Sequence, residues 1–136
     1  MKKTPKKKIY VGAAYTYANY EFRLKVEKFK DRLRKKFEIM DFNWLTDKVP
    51  ADSYELSVKY LNDCDLFIAI CDYPSLGLGY EMGCAVKMNK KVLALAHKNS
   101  TVSMLILKIN KKHKNFILKR YSNSLTELTS FIVDAA

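Results

Sequence analysis

The apolar run Leu66-Phe67-Ile68-Ala69-Ile70-Cys71 is too short for a helix of ordinary length, and it ends at Asp72-Tyr73-Pro74. A glycine-spaced turn, Pro74-Ser75-Leu76-Gly77-Leu78-Gly79-Tyr80-Glu81, then opens a segment whose apolar residues recur at helical spacing. The stretch from Asp65 to Ala85 therefore predicts strand, loop and helix. In an open α/β sheet, ligands bind beyond the carboxyl ends of the strands, where loops feed helix N-termini whose free N–H groups favour negative charge. Glu81 is expected in the first helical turn at such an edge.

The rest of the chain repeats this alternation. Residues 7–14 read as a first strand ending in Gly12-Ala13-Ala14, small residues that let another group approach the backbone. Phe22, Val26, Phe29, Leu33 and Phe37 recur at intervals of three and four and predict an amphipathic helix with its charged residues on the other face. A second strand is predicted over 38–45, and a loop over 46–52, containing Pro50, is expected to form part of a pocket rim. A short helix over 53–62 is expected to turn Tyr54, Val58 and Leu61 inward. Beyond the Glu81 helix come a strand at 91–96, a helix at 102–109, a strand at 115–119 and a helix at 124–133. Ser124 with Glu127 makes a capping box at the start of that last helix. Strands alternating with helices predict a parallel sheet covered on both faces, with right-handed crossovers and strand order 2-1-3-4-5. One domain is expected over 7–136, after a basic flexible tail at 1–6.

Charge and cysteine content narrow the functional classes. The net charge is +11, with five lysines in the first eight residues and a second basic cluster at Lys108, Lys111, Lys112, Lys114, Lys119 and Arg120. That balance suits an anionic ligand and weak, salt-sensitive nucleic-acid binding, but no helix-turn-helix, zinc-finger or aromatic RNA-binding motif marks specific recognition. The apolar runs are far shorter than the roughly 20 residues that cross a bilayer, and no apolar segment follows the basic N-terminus, so a cytoplasmic protein is expected. Cys64, Cys71 and Cys84 lack paired metal-ligand spacing and read as reduced core thiols. No metal or cofactor is expected.

The glycines invite a dinucleotide-binding reading, but G-x-G-x-x-x-G is one residue too long, follows the wrong strand and lacks the later acidic residue that holds a ribose. A P-loop is absent as well. What remains is a carboxylate. Glu81 at a helix start would be favoured in its ionised form by the helix dipole, with Gly77 and Gly79 letting a flat ligand lie against the backbone. Such a carboxylate can attack an anomeric carbon and form a covalent glycosyl intermediate. The plainer alternative is that it merely complements the helix N-terminus.

The segment Asp65 to Ala85, centred on Pro74-Ser75-Leu76-Gly77-Leu78-Gly79-Tyr80-Glu81, resembles the signature of the nucleoside 2-deoxyribosyltransferase superfamily. Lys8-Ile9-Tyr10-Val11-Gly12-Ala13 is similar to that family's first strand, and Asn89-Lys90-Lys91-Val92-Leu93-Ala94-Leu95 to the strand after its catalytic helix. The resemblance implies a flavodoxin-like three-layer fold and a homodimer or larger homo-oligomer in which a neighbour closes each active site. It also implies that Glu81 is the nucleophile at C1′ of a deoxyribosyl group and that Tyr10 orients it, with Gly12, Gly77 and Gly79 at the substrate.

Ser75 resembles the branch that hydrolyses 2'-deoxynucleoside 5'-monophosphates, where serine contacts phosphate; a hydroxyl tolerates a dianion that an aspartate would repel. Ser103 falls near that branch's second phosphate-binding serine, which the neighbouring subunit supplies. One position departs from the pattern. The family's aspartate, eight residues before the one that opens the central strand, is Ser57 in this chain. Asp52 and Glu55 are close by, but Glu55 is expected on another helix face. Three readings follow: hydrolysis of deoxynucleoside monophosphates, exchange of bases between deoxynucleosides, and a non-catalytic nucleotide-binding module.

Overall fold

The computed structural model describes residues 5–45 and 49–136. The first four residues of the basic tail and residues 46–48 of the expected pocket rim lie outside them. The elements run β1 (Lys8–Ala13), α1 (Tyr20–Leu33), β2 (Glu38–Met40), α2 (Ser53–Asp63), β3 (Leu66–Ile70), α3 (Leu76–Lys87), β4 (Val92–His97), α4 (Met104–Lys112), β5 (Phe116–Tyr121) and α5 (Thr129–Ala135). All five strands are parallel, in the order β2-β1-β3-β4-β5. That is the predicted order.

Strand β3 is central and buried at every position, as its unbroken apolar run requires. Alternate side chains of the sheet feed two cores. Ile9, Val11, Ile68, Ile70, Leu93 and Leu95 face α1 and α5, whereas Tyr10, Phe67, Ala69, Ala94 and Ala96 face α2, α3 and α4. The second face mixes the aromatic rings of Tyr10 and Phe67 with the small residues Ala69, Ala94 and Ala96. At Gly12 a Cβ would stand 3.2 Å from both Leu78 Cδ1 and Phe67 Cε1, so that position has no room for a larger residue without movement of its neighbours.

Three local expectations need correction. Strand β2 ends at Met40 instead of continuing to residue 45. The following carbonyls are taken by side chains of α1: Lys30 Nζ donates to Phe42 O at 3.0 Å and Arg23 Nη1 to Trp44 O at 2.7 Å, while Asn43 Oδ1 accepts from Leu45 N. Lys30 itself breaks the expected polar face of its helix. It is fully buried, and its charge is compensated by Glu27 at 3.0 Å and Asp41 at 3.1 Å. In α2, Leu61 points inward as expected, but Tyr54 and Val58 do not. The inward stripe is Ser53, Leu56, Ser57, Tyr60 and Leu61, one step around the helix.

The last helical segment opens as a tighter 3-10 turn, Leu125–Leu128, with the Ser124 and Glu127 capping box in place. The three cysteines are free, and among the described residues no group of three His, Cys, Asp or Glu is placed to hold a metal ion. Among the same residues no helix is long and apolar enough to cross a membrane.

Candidate active site

The loop after β3 delivers the site. Ser75 has extended backbone and caps α3, its Oγ accepting from Leu78 N at 3.2 Å. A hydroxyl that accepts this bond keeps its own proton free for a ligand. The first N–H groups of α3 have no acceptor within the helix, so the edge next to Ser75 is suited to an anion.

Glu81 stands in the second turn of α3, not the first. That shift changes the electrostatics, because the helix dipole acts within the first turn. Burial dominates and raises the Glu81 pKa above the ordinary carboxylate value, while the hydrogen bond from Tyr10 pulls it part of the way back. Tyr10 Oη donates to Glu81 Oε2, as the first-strand tyrosine was expected to do. Its ring is held from three sides, stacked on Phe67 at 5.1 Å and packed on Tyr60 and Phe42. Burial, and then the neighbouring carboxylate, raise the Tyr10 pKa far enough that the phenol is a fixed donor.

Glu81 and Tyr10 border a cavity of about 410 Å³. Gly12, Ser75 and Gly77 line it as well, so five of the seven expected site residues meet there. Gly79 and Ser103 do not. A Cβ at Gly79 would meet nothing within 4 Å, so no close packing demands glycine there. Ser103 caps α4, accepting from Leu105 N at 3.2 Å, outside this chain's own cavity.

The far wall holds residues that spacing arguments did not select: Tyr15, Arg23 and Trp44. Arg23 donates to Trp44 O and, at 3.0 Å, to Tyr15 O, so one guanidinium ties the loop after β1 to the loop after β2. Its signal in the sequence was a cation in the first turn of a helix entered from a strand edge. Asn19 is the N-cap of α1, its Oδ1 accepting from Phe22 N at 2.8 Å. Ser57 does reach the cavity, with Oγ donating to Tyr54 O at 2.8 Å. Glu55 is exposed and does not line it.

A carboxylate that lines a cavity and has one oxygen held by a phenol can act as a nucleophile or as an orienting base. Comparison with known proteins bears out the resemblance seen in the sequence. A Thermofilum pendens protein provisionally named 2'-deoxynucleoside 5'-phosphate N-hydrolase 1 is 31% identical over 74 residues, which are 54% of this chain and 52% of that protein. The 5-hydroxymethyl-dUMP N-hydrolase of Danio rerio is 45% identical over 42 residues, 31% of this chain and 29% of the fish protein. The matches thus span about half or less of these relatives. A Clostridium botulinum CMP N-glycosidase has the same fold, with a TM-score of 0.71 at 21% identity, covering 94% of this chain and 99% of its own. No protein-family model matches the chain.

Proposed function

We propose, for a chain whose sequence relatives are nucleotide N-hydrolases of the nucleoside 2-deoxyribosyltransferase superfamily, that it cleaves the N-glycosidic bond of 2'-deoxynucleoside 5'-monophosphates. The observation that carries this is the Glu81 carboxylate, which lines a cavity together with Ser75 and has one oxygen held by Tyr10. With Oε2 engaged, Oε1 attacks C1′. The C1′–N bond breaks, and the base leaves with the electron pair and takes up a proton. Water then adds to C1′; its hydroxyl stays on the sugar, its proton is released and Glu81 is regenerated. Ser75 Oγ and the first N–H groups of α3 receive the 5′-phosphate.

The Ser57 position gives weight to the third reading, a nucleotide-binding module, because the leaving base lacks the family's carboxylic acid. General acid catalysis is worth roughly a hundredfold or more, so its loss slows the reaction without abolishing it. We further propose that the site is completed by a second copy of the chain. Tyr54 and Tyr80 are exposed at the cavity rim, next to a face of α2, α3 and α4 that also exposes Val58, Leu76, Met104 and Leu105. The same face carries Ser103.

The test is incubation with deoxynucleoside and ribonucleoside monophosphates and with deoxynucleosides, with and without an acceptor base, followed by chromatography. Free base from deoxynucleotides is the expected product. Exchanged nucleosides would mean transfer, and binding without either product would mean a module. Glu81→Ala should abolish turnover with the circular dichroism spectrum unchanged; retained turnover would remove Glu81 as the nucleophile.

A further inference from the structure

Among the described residues, Lys30 is the one charged side chain that the fold buries completely. Three oxygens surround its Nζ, one for each ammonium proton: Glu27 Oε1 at 3.0 Å, Asp41 Oδ2 at 3.1 Å and Phe42 O at 3.0 Å. Asp41 is held in turn by Arg34 Nη2 at 2.9 Å.

Stability alone does not call for this charge. Taking an ion pair out of water costs about as much as its attraction returns, and well-packed apolar side chains of similar volume often serve as well. What a methionine at this position could not supply is a directed bond to the Phe42 carbonyl. The pairing of β2 with β1 ends at Met40, so that carbonyl lies beyond the ladder, and left unpaired inside the protein it would be costly.

Phe42 connects two parts of the candidate active site. Its ring packs on Trp44 at 6.0 Å and, edge to face, on Tyr10 at 6.4 Å. All three residues line the Glu81 cavity. Lys30 Nζ also lies 5.8 Å from the centre of the Tyr15 ring, the other aromatic partner of Trp44.

We propose that Lys30 is a positioning residue for the candidate active site. By fixing the Phe42 carbonyl it sets the ring against which both Trp44, on the cavity wall, and Tyr10, the partner of Glu81, are packed. Arg23 holds the Trp44 and Tyr15 carbonyls; Lys30 adds the link to Tyr10. The kinetic consequences rest on the glycosidase reading.

Lys30→Met alone would leave Glu27 without its partner, so the test is Lys30→Met with Glu27→Gln. That pair of changes keeps the net charge and leaves Asp41 bonded to Arg34. The circular dichroism spectrum should match the parent's. Trp44 is the chain's single tryptophan, so its fluorescence reports on the wall, and acrylamide should quench it more strongly in the double variant. With the deoxynucleoside monophosphate that the parent cleaves, KM should rise and kcat should fall. Their ratio should drop by more than about tenfold, as for the loss of one hydrogen bond to a charged group. Phe42→Leu leaves the ammonium and its three oxygens in place and should reproduce both effects, because the ring is the link. Parental quenching or parental kcat in the double variant would overturn the proposal, as would a Phe42→Leu chain with the kinetics of the parent. Quenching needs no turnover, so a parent that cleaves nothing would overturn the glycosidase reading while the effect of Lys30 on the wall is still measured.

Discussion

Burial and hydrogen bonding act on Glu81 in opposite directions, and the balance predicts a pH profile. Burial raises its pKa above the usual value of about 4.3, and Tyr10 offsets only part of the rise. The proposed attack needs the carboxylate, so kcat/KM should fall at acid pH along a limb displaced upward from an ordinary glutamate. Tyr10→Phe removes the lowering contribution and should push that limb higher, with activity lost first near its foot. A kcat/KM profile whose acid limb does not move would reduce Tyr10 to a packing residue. The same shift has a stability consequence. An acid whose folded pKa is raised contributes stability below its unfolded pKa, and that contribution is lost as pH rises through the folded value. Glu81→Gln should therefore melt higher than the parent near neutral pH, with the gain vanishing toward pH 4. Ser57 belongs to the same chemistry. If it marks an absent proton donor, Ser57→Asp should raise kcat by roughly tenfold or more, since an aspartate there can reach the cavity. An unchanged or lower kcat would assign the proton to another group.

The pairing of Tyr10 with Glu81 was legible only through the family resemblance; what the local patterns specified was a buried strand for the one and a helix after proline for the other. The position of Glu81 along that helix was not, because Ser75 starts the helix earlier than the glycine spacing suggested. Strand β2 shows a broader limit. Residues 41–45 are apolar enough to read as strand, yet Lys30 and Arg23 of α1 take their carbonyls and pull them out of the sheet. No periodicity within 38–45 contains that competition. The displaced segment then supplies Trp44 to the cavity wall, and Arg23 holds it against Tyr15. Arg23→Met keeps the stem but loses two bonds to backbone carbonyls. It should destabilise the chain by about 2 kcal/mol and raise KM more than it lowers kcat, because the wall loosens while Glu81 and Tyr10 stay in place. Equal falls in kcat and kcat/KM would place Arg23 in the chemical step instead.

The proposed pairing of two copies would assign a different use to each side of the sheet. The α1 face carries a cleft with a basic rim, whereas the α2, α3 and α4 face carries an apolar surface on which Leu76 is 96% exposed, Met104 69% and Leu105 68%. Large apolar side chains left exposed on one face of a chain otherwise rich in charge are consistent with an interface there. A pair related by a twofold axis would bury this face against itself and cover the rims of both cavities. Met104 and Leu105 separate this from a chain acting alone, because neither lines the cavity of its own chain. Their double replacement by glutamate leaves Glu81, Tyr10 and Ser75 untouched, and the cap from Ser103 to the Leu105 N–H does not depend on either side chain. Sedimentation should show the parent at twice the chain mass or a higher multiple and the double variant at 15.8 kDa, with kcat/KM reduced by more than about tenfold. A parent that sediments as a single chain, or a monomeric variant with full activity, would mean that one chain completes its own site. In that case the exposed side chains of α4 would need another explanation, and Ser103 would have no part in holding phosphate.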